Sequence, residues 1–404
     1  MLDLHSFTNK NLKVRLYSDN SLIFQGGGEK TLVDLANYLT DIGLEVLISD
    51  NSNSNDLARI DFNELEKTIK CKYLPAIYIR SGVLRFLYHP MPDPKDLSAY
   101  DVNLISIHRI PSKSYLKKIL PINGVIILAC HGIGVERKLS LNFTVNLYQL
   151  YMRFAIIRIY RLVNHSRNIK LVVLTNGTKD IFTKFGIKDS KVIAIPNSVS
   201  KVGYEIGRND RSFKILFIGR LNDNQKGIRR LKKVAERIIK FGPEIEVTIL
   251  GSGPDFHILE KLKCKKIRVL GYISTIEKLN ELKDSNLLII TSNMEPFSLV
   301  CLEALYSGLP VVSSPTNGPS EILQRISDSG TISSFSPTDI TNTIIKYYNQ
   351  WNENKEEYYQ RKLKRSQFAK EIYSLNHFYD YYLESFKQLY DSMVNLRLIS
   401  DDAI

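Results

Sequence analysis

Short apolar runs recur along the chain, at 13–17, 45–49, 103–107, 125–130, 171–174, 191–195, 214–218, 246–250, 266–270, 287–291 and 310–313. Most read as continuous Val, Ile and Leu rather than as alternation, the pattern of parallel strands buried on both faces. Helical periodicity fills many of the gaps. Leu32, Leu35, Ala36, Leu39 and Ile42 recur at helical spacing with Gly43 just beyond, so a helix is expected over 31–42. Strands alternating with helices predict doubly wound α/β units. The series runs up to Ile195 and restarts at Phe213. The polar stretch 196–212 between them reads as a linker, and a helical, Tyr-rich tail closes the chain.

Composition narrows the class. With 404 residues, 44% hydrophobic and 24% charged, the chain has ample material for large cores and is not mainly disordered. Its net charge is +13, and residues 102–200 hold nearly all of that excess, with 15 Lys/Arg against 3 Asp/Glu. Such a stretch points to an acidic partner: an anionic membrane surface, an acidic substrate or nucleic acid. No nucleic-acid readout motif accompanies the charge, so no specific nucleic acid is expected. The candidates for contact with an acceptor or an anionic membrane are Lys113, Lys117 and Lys118 on one segment and Arg153, Arg158 and Arg161 on the next helix, with Phe154, Ile157 and Tyr160 as a partly inserted face. By itself that second segment reads as a half-buried helix with a solvated basic edge.

The four cysteines form no Cys-x-x-Cys pair, which excludes a zinc ribbon, and Cys130 and Cys301 lie in apolar runs as buried thiols. No apolar run approaches the roughly 20 residues of a membrane span, and residues 1–14 lack a secretory core. A cytoplasmic location is expected, with peripheral attachment to the cytoplasmic membrane face left open.

Several chemical motifs fail. The run 26–31 (GGGEKT) has Phe24 and Glu29 where a P-loop needs glycine, and Thr31 where a dinucleotide fingerprint does. It remains a glycine turn before a helix, whose amides could face an anion. No Asp-x-Asp pair is present to hold a divalent cation against a diphosphate, so no metal or other cofactor is expected.

The second half is richer. Gly219 and Arg220 follow a strand, with Lys226 and Gly227 six residues on. Two cations so placed can converge on a diphosphate. A glycine turn, 251–254, and the segment 271–274 follow two further strands. Then 295–304 reads EPFSLVCLEA, with Pro296 suited to a helix start and the amides of Phe297, Ser298 and Leu299 free to meet an anion. Glu303 could accept two hydrogen bonds from vicinal hydroxyls, and Glu295 stands beside the same mouth. The bland alternative is two surface glutamates and a basic loop.

This ordered set resembles the retaining glycosyltransferases of family 4, which have the GT-B fold: two Rossmann-like doubly wound α/β domains facing across a cleft, with a C-terminal helix crossing back to the first domain. Glu295 and Glu303 match the family's E-x7-E spacing, Arg220 and Lys226 its diphosphate clamp, 251–254 its G-x-G-P turn and 302–312 its L-E-A…S-G-L-P-V-V run. In the first half, 26–46 is similar to the family's opening loop and helix, and His108 and 130–132 to its strand-end histidines. The resemblance implies a first, acceptor domain over 1–195, the linker 196–212, a donor domain over 213–372 and a returning helix over 373–404.

It also implies roles. Arg220 and Lys226 would bind the donor diphosphate and Glu303 the ribose. Glu295 would contact the donor sugar, while Phe297, Ser298, Leu299 and Val300 would meet sugar and phosphates. Gly219 belongs to the same loop, Tyr272 and Ile273 flank the base, and Gly27 and Gly28 approach from the other domain. His131 would line the reaction centre, where a buried, backbone-satisfied histidine is the alternative. Ser298 departs from the family's usual glycine, which puts the donor sugar's identity in doubt. The implied reaction is retaining, metal-independent, hexosyltransferase-like transfer from a nucleotide-diphosphate sugar to a glycan, lipid-linked or protein-linked acceptor. A nucleotide-sugar-binding scaffold of the same fold is the alternative.

Overall fold

The computed structural model describes residues 12–19, 22, 27–52, 69–77, 91–108, 111–122, 124–131, 135–199, 203–262 and 264–401. Expectations for Gly26 and Gly132, and for the side chains of Arg158 and Tyr160, lie outside the described residues. The chain forms two compact units. The first comprises Met1–Ile133, Met152–Ile195 and Phe378–Ile404, and the second Gly134–Tyr151 and Pro196–His377.

The first unit holds a seven-stranded parallel sheet of order β3-β2-β1-β4-β5-β6-β7 among the described residues. Its strands are β1 (Lys13–Ser18), β2 (Glu45–Ser52), β3 (Lys72–Ile77), β4 (Val102–Ser106), β5 (Val125–Ala129), β6 (Ile169–Val173) and β7 (Val192–Ala194). β1, β4 and β5 are almost wholly buried, as their continuous apolar sequence demands. The strand order reverses between β1 and β4, where Ser18 pairs with Ser106. In open α/β sheets the crevice outside the strand ends at such a reversal is where ligands bind.

The second unit has, among the described residues, a six-stranded parallel sheet of order β10-β9-β8-β11-β12-β13. These strands are β8 (Phe213–Ile218), β9 (Ile245–Leu250), β10 (Ile267–Gly271), β11 (Leu287–Ile290), β12 (Val311–Ser313) and β13 (Gly330–Ile332). Its reversal falls between β8 and β11. The two strands absent from the sequence pattern are both at sheet edges: β3 contains Pro75, and β13 has three residues.

Three features differ from expectation. The first helix, α1 (Gly27–Asp41), begins four residues early, so Gly27 and Gly28 form its first turn rather than a preceding loop. Residues 134–151 belong to the second unit instead of the first. The segment 204–212 is not a free linker. The Gly207 carbonyl accepts from buried Lys362 Nζ at 2.7 Å, and the Asn209 carbonyl from Trp351 Nε1 at 3.1 Å. Burial lowers the Lys362 pKa to about 7.

The closing helix runs over Leu375–Asp401. Phe378, Tyr382, Phe386 and Leu389 repeat at helical spacing and are buried in the first unit's core with Val14, Leu39 and Val102. Tyr379 stacks on Tyr38 with ring centroids 4.0 Å apart. Phe386→Ala should therefore destabilise the protein by about 3–5 kcal/mol. Urea denaturation measures this, and a loss below about 1 kcal/mol would show that the helix is not part of that core.

Candidate active site

In the second unit, backbone sits directly on backbone around the β8–β11 reversal. Gly219 N–H donates to the Leu250 carbonyl at 3.0 Å and Leu221 N–H to the Ser252 carbonyl at 2.9 Å. A β-carbon at Gly251, where φ is +132°, would lie 1.9 Å from the Gly219 carbonyl oxygen, and one at Gly253 2.4 Å from that of Leu221. Those two glycines are the condition for seating the 219–221 loop. Gly227, at φ +65°, likewise abuts the Thr291 carbonyl oxygen, 2.2 Å from where its β-carbon would stand.

This packing brings Lys226 to Glu295. Their side chains form an ion pair through Nζ and Oε2, and Ser292 Oγ donates to the same oxygen at 2.9 Å. Arg220 is exposed and makes no ion pair among the described residues. Lys226 is thus a half-buried cation held by a carboxylate, and Arg220 an uncommitted one on the same loop. Arg230 fixes the segment after β11. It donates to the Thr291 carbonyl at 2.5 Å, to Asn293 Oδ1 at 2.9 Å and to the Phe335 carbonyl at 2.8 Å, and burial lowers its pKa to about 10.

The helix after Glu295 spans Leu299–Tyr306. It starts three residues later than Pro296, a correction to the sequence reading. Ser298 caps it at φ 86°, a left-handed conformation that favours glycine, and the Cys301 N–H donates to the Ser298 carbonyl at 3.1 Å. The free first-turn amides are therefore those of Leu299 and Val300, while Phe297 lies outside the helix, its ring against Tyr373.

Glu303 lies on that helix. Its Oε1 accepts from Lys278 Nζ at 2.7 Å and from the Tyr204 hydroxyl at 3.1 Å. Burial, then the neighbouring Glu303 charge, pushes the Tyr204 pKa well up, so this phenol stays a donor. Tyr272 is largely exposed and Ile273 half-buried, just before a helix (Thr275–Asp284) whose capping box joins Ser274 and Glu277.

Several residues here fall outside the sequence motifs, Glu136 above all. Glu136 is buried, and its carboxylate accepts from Glu295 N–H at 2.7 Å and Asn317 N–H at 2.6 Å. Burial pushes its pKa up to about 8, although the two amides pull the other way. Asn317 Nδ2 donates to the Val135 carbonyl at 2.8 Å, closing the clasp. Glu136 is the one acidic residue between Asp101 and Asp180, a signal that was available in the sequence.

The first unit carries its own cluster at its reversal. Asp19, just after β1, takes the His108 backbone N–H at 2.8 Å and contacts His108 Nδ1 at 2.7 Å, while His108 Nε2 lies 3.5 Å from Glu29. Gly28 fits beside them, since a β-carbon there would stand 3.0 Å from His108 Nε2. His131 is buried, with Nδ1 2.8 Å from Ser106 Oγ and Nε2 3.4 Å from the Tyr382 hydroxyl. Burial, then the His108 charge, lowers its pKa to about 3, so it is a neutral imidazole near pH 7. Lys113, Lys117 and Lys118 are exposed on a helix of this unit (Lys113–Ile119). Arg161 donates to the Phe185 carbonyl at 3.4 Å, and Arg153 is half-buried. Among the described residues no cluster of three or more His, Cys, Asp or Glu could hold a metal, and no helix is long and apolar enough to cross a membrane.

Residues 204–365 match the glycosyl transferases group 1 family. An uncharacterized glycosyltransferase (MJ1607) of Methanocaldococcus jannaschii is 36% identical over 127 residues, covering 30% of this chain and 32% of that protein. The N-acetyl-alpha-D-glucosaminyl L-malate synthase of Bacillus anthracis is 26% identical over 170 residues, 40% of this chain and 43% of that one. The chain thus spans less than half the length of these curated relatives. Among solved structures, Anabaena Alr3699/HepE in complex with UDP and glucose superposes with a TM-score of 0.69 at 16% identity, over 93% of this chain and all of the other. TarM of S. aureus does so with a TM-score of 0.68 at 14% identity, over 94% and 99% of the two chains. At these identities the likeness establishes the fold, the two-unit α/β GT-B class. The group 1 segment contains Arg220, Lys226, Glu295, Glu303 and the Ser298 cap, but Glu136 lies before it.

A raised carboxylate pKa stabilises the fold below its ordinary value of 4.5 and loses that contribution as pH rises through about 8. Urea denaturation of the wild type and of Glu136→Gln between pH 5 and 9 isolates this contribution: the variant should cost about 1–3 kcal/mol at pH 5, and its deficit should shrink as pH rises through about 8. Parallel pH profiles for the two proteins would refute this account of Glu136.

Proposed function

We propose that the protein transfers a glycosyl group from a nucleoside-diphosphate sugar to an acceptor, with retention at the anomeric carbon and without a metal. The observation that carries this reading is the pairing of Lys226 with Glu295 at the second unit's strand-order reversal, on the same loop as uncommitted Arg220. The group 1 match over that segment supports it. Arg220, Lys226 and the Leu299 and Val300 amides stabilise the departing diphosphate, where negative charge develops. Glu303, oriented by Lys278 and Tyr204, takes the ribose hydroxyls. Glu295 releases Lys226 to the diphosphate and meets the donor sugar. Tyr272 and Ile273 flank the base.

In the first unit, Gly28 and neutral His131 serve as positioning groups, not as a nucleophile or an acid. The acceptor is a glycan or a lipid- or protein-linked glycan. A donor-binding scaffold without turnover is the competing reading, and the same experiments separate the two.

Calorimetric titration with nucleoside diphosphates should show binding weakened roughly 10- to 100-fold by Arg220→Ala and by Lys226→Ala, the loss of one charge-assisted bond each. Unchanged affinity in both variants would refute the clamp. Donor turnover should persist in EDTA, and loss of turnover restored by magnesium or manganese would refute metal independence. Proton NMR of the product should show the donor's anomeric configuration. Binding without hydrolysis or transfer of any nucleotide sugar would leave the scaffold.

A further inference from the structure

The helix Phe143–Tyr160 is apolar on two opposite faces. Val145, Met152 and Ile156 form one stripe with Gln149, and all four are buried. Phe143, Leu147, Leu150 and Phe154 form a second stripe with the same spacing, and all four are exposed. The approach to the helix continues the exposed stripe with Leu139 and Leu141, and Tyr151 flanks it. Phe143 is 79% and Leu141 75% exposed. Soluble proteins rarely leave so continuous an apolar strip in water without a use for it.

Cations border it. Arg137 and Lys138 precede the strip and are exposed. A groove of the second unit joins Leu141 and Asn142 to Arg229 and Lys233, and a neighbouring groove joins those two cations to Lys232 and Lys261. Arg229 also lies 3.3 Å from Asp223, with most of its side chain in solvent. Residues 137–179 contain eight Lys/Arg and no Asp/Glu.

We propose that this strip and its basic border form a docking surface for an anionic lipid bilayer, the leucines and aromatics entering the headgroup boundary and the cations meeting lipid phosphates. An apolar face flanked by cations is what an interfacial helix requires. A second copy of the chain is the poorer occupant, because like-charged borders would be brought together. The surface differs from the expected one. It uses the start of the helix and the segment before it rather than Ile157, which is half-buried, and draws cations from Arg229 and Lys233 beyond the 102–200 stretch. The inference does not depend on the transfer reaction.

Flotation of the purified full chain with vesicles tests it. Binding to phosphatidylcholine vesicles containing 30% phosphatidylglycerol should exceed binding to pure phosphatidylcholine at least tenfold and fall in 0.5 M NaCl. Each cation at an anionic surface contributes about fivefold in partitioning. Leu147→Ser/Leu150→Ser and Arg229→Gln/Lys233→Gln should each reduce binding tenfold or more, with circular dichroism and nucleoside-diphosphate affinity unchanged. Absence of binding to anionic vesicles, or equal binding by both variants, would overturn the proposal. A concentration-dependent dimer in sedimentation velocity that Leu147→Ser/Leu150→Ser abolishes would also overturn it, assigning the face to a second copy.

Discussion

Glu136 is the tie on which the second unit's site depends. One carboxylate binds two separate stretches of backbone, the amide of Glu295 after β11 and that of Asn317 after β12. Both amides would otherwise be buried donors without partners, at about 1–3 kcal/mol each. The tie also fixes where Glu295 starts, hence where Lys226 finds it and where the Ser298 turn begins. Gly318 completes the closure: its N–H donates to the Glu295 carbonyl at 2.9 Å, and a β-carbon there would stand 2.0 Å from the Phe297 carbonyl oxygen.

Around that tie the charges are arranged in pairs. Lys226 is held by Glu295 and Lys278 by Glu303. Each pair is largely withdrawn from solvent, so removing one partner leaves an uncompensated charge. On the proposed reading, an incoming dianion would compete for the lysine and release a carboxylate to accept hydroxyl hydrogen bonds. Arg220 makes no such pair among the described residues.

Much of this was legible in sequence because its causes are local. Continuous apolar runs match eleven of the thirteen strands among the described residues, and the spacing of Arg220, Lys226, Glu295 and Glu303 marks the candidate site's polar groups. The illegible parts have non-local causes. β3 is disguised by Pro75 and β13 by its brevity. The later helix start follows from Ser298 adopting a left-handed turn, which Pro296 does not announce. Glu136 lies 159 residues from its Glu295 partner. Asp19 and His108, 89 residues apart, meet because parallel β1 and β4 end side by side. In the helix Phe143–Tyr160, arginines in the sequence mask a second, exposed apolar stripe.

Ser298 also bears on how well its loop is ordered. Left-handed backbone costs a serine on the order of 1 kcal/mol that glycine would not incur. A serine, however, samples fewer conformations than glycine in the unfolded chain, so fixing it in one forfeits less entropy. Its carbonyl already engages the Cys301 amide. The turn is thus held by its own backbone, and on the proposed reading the Leu299 and Val300 amides would meet an anion with little left to rearrange.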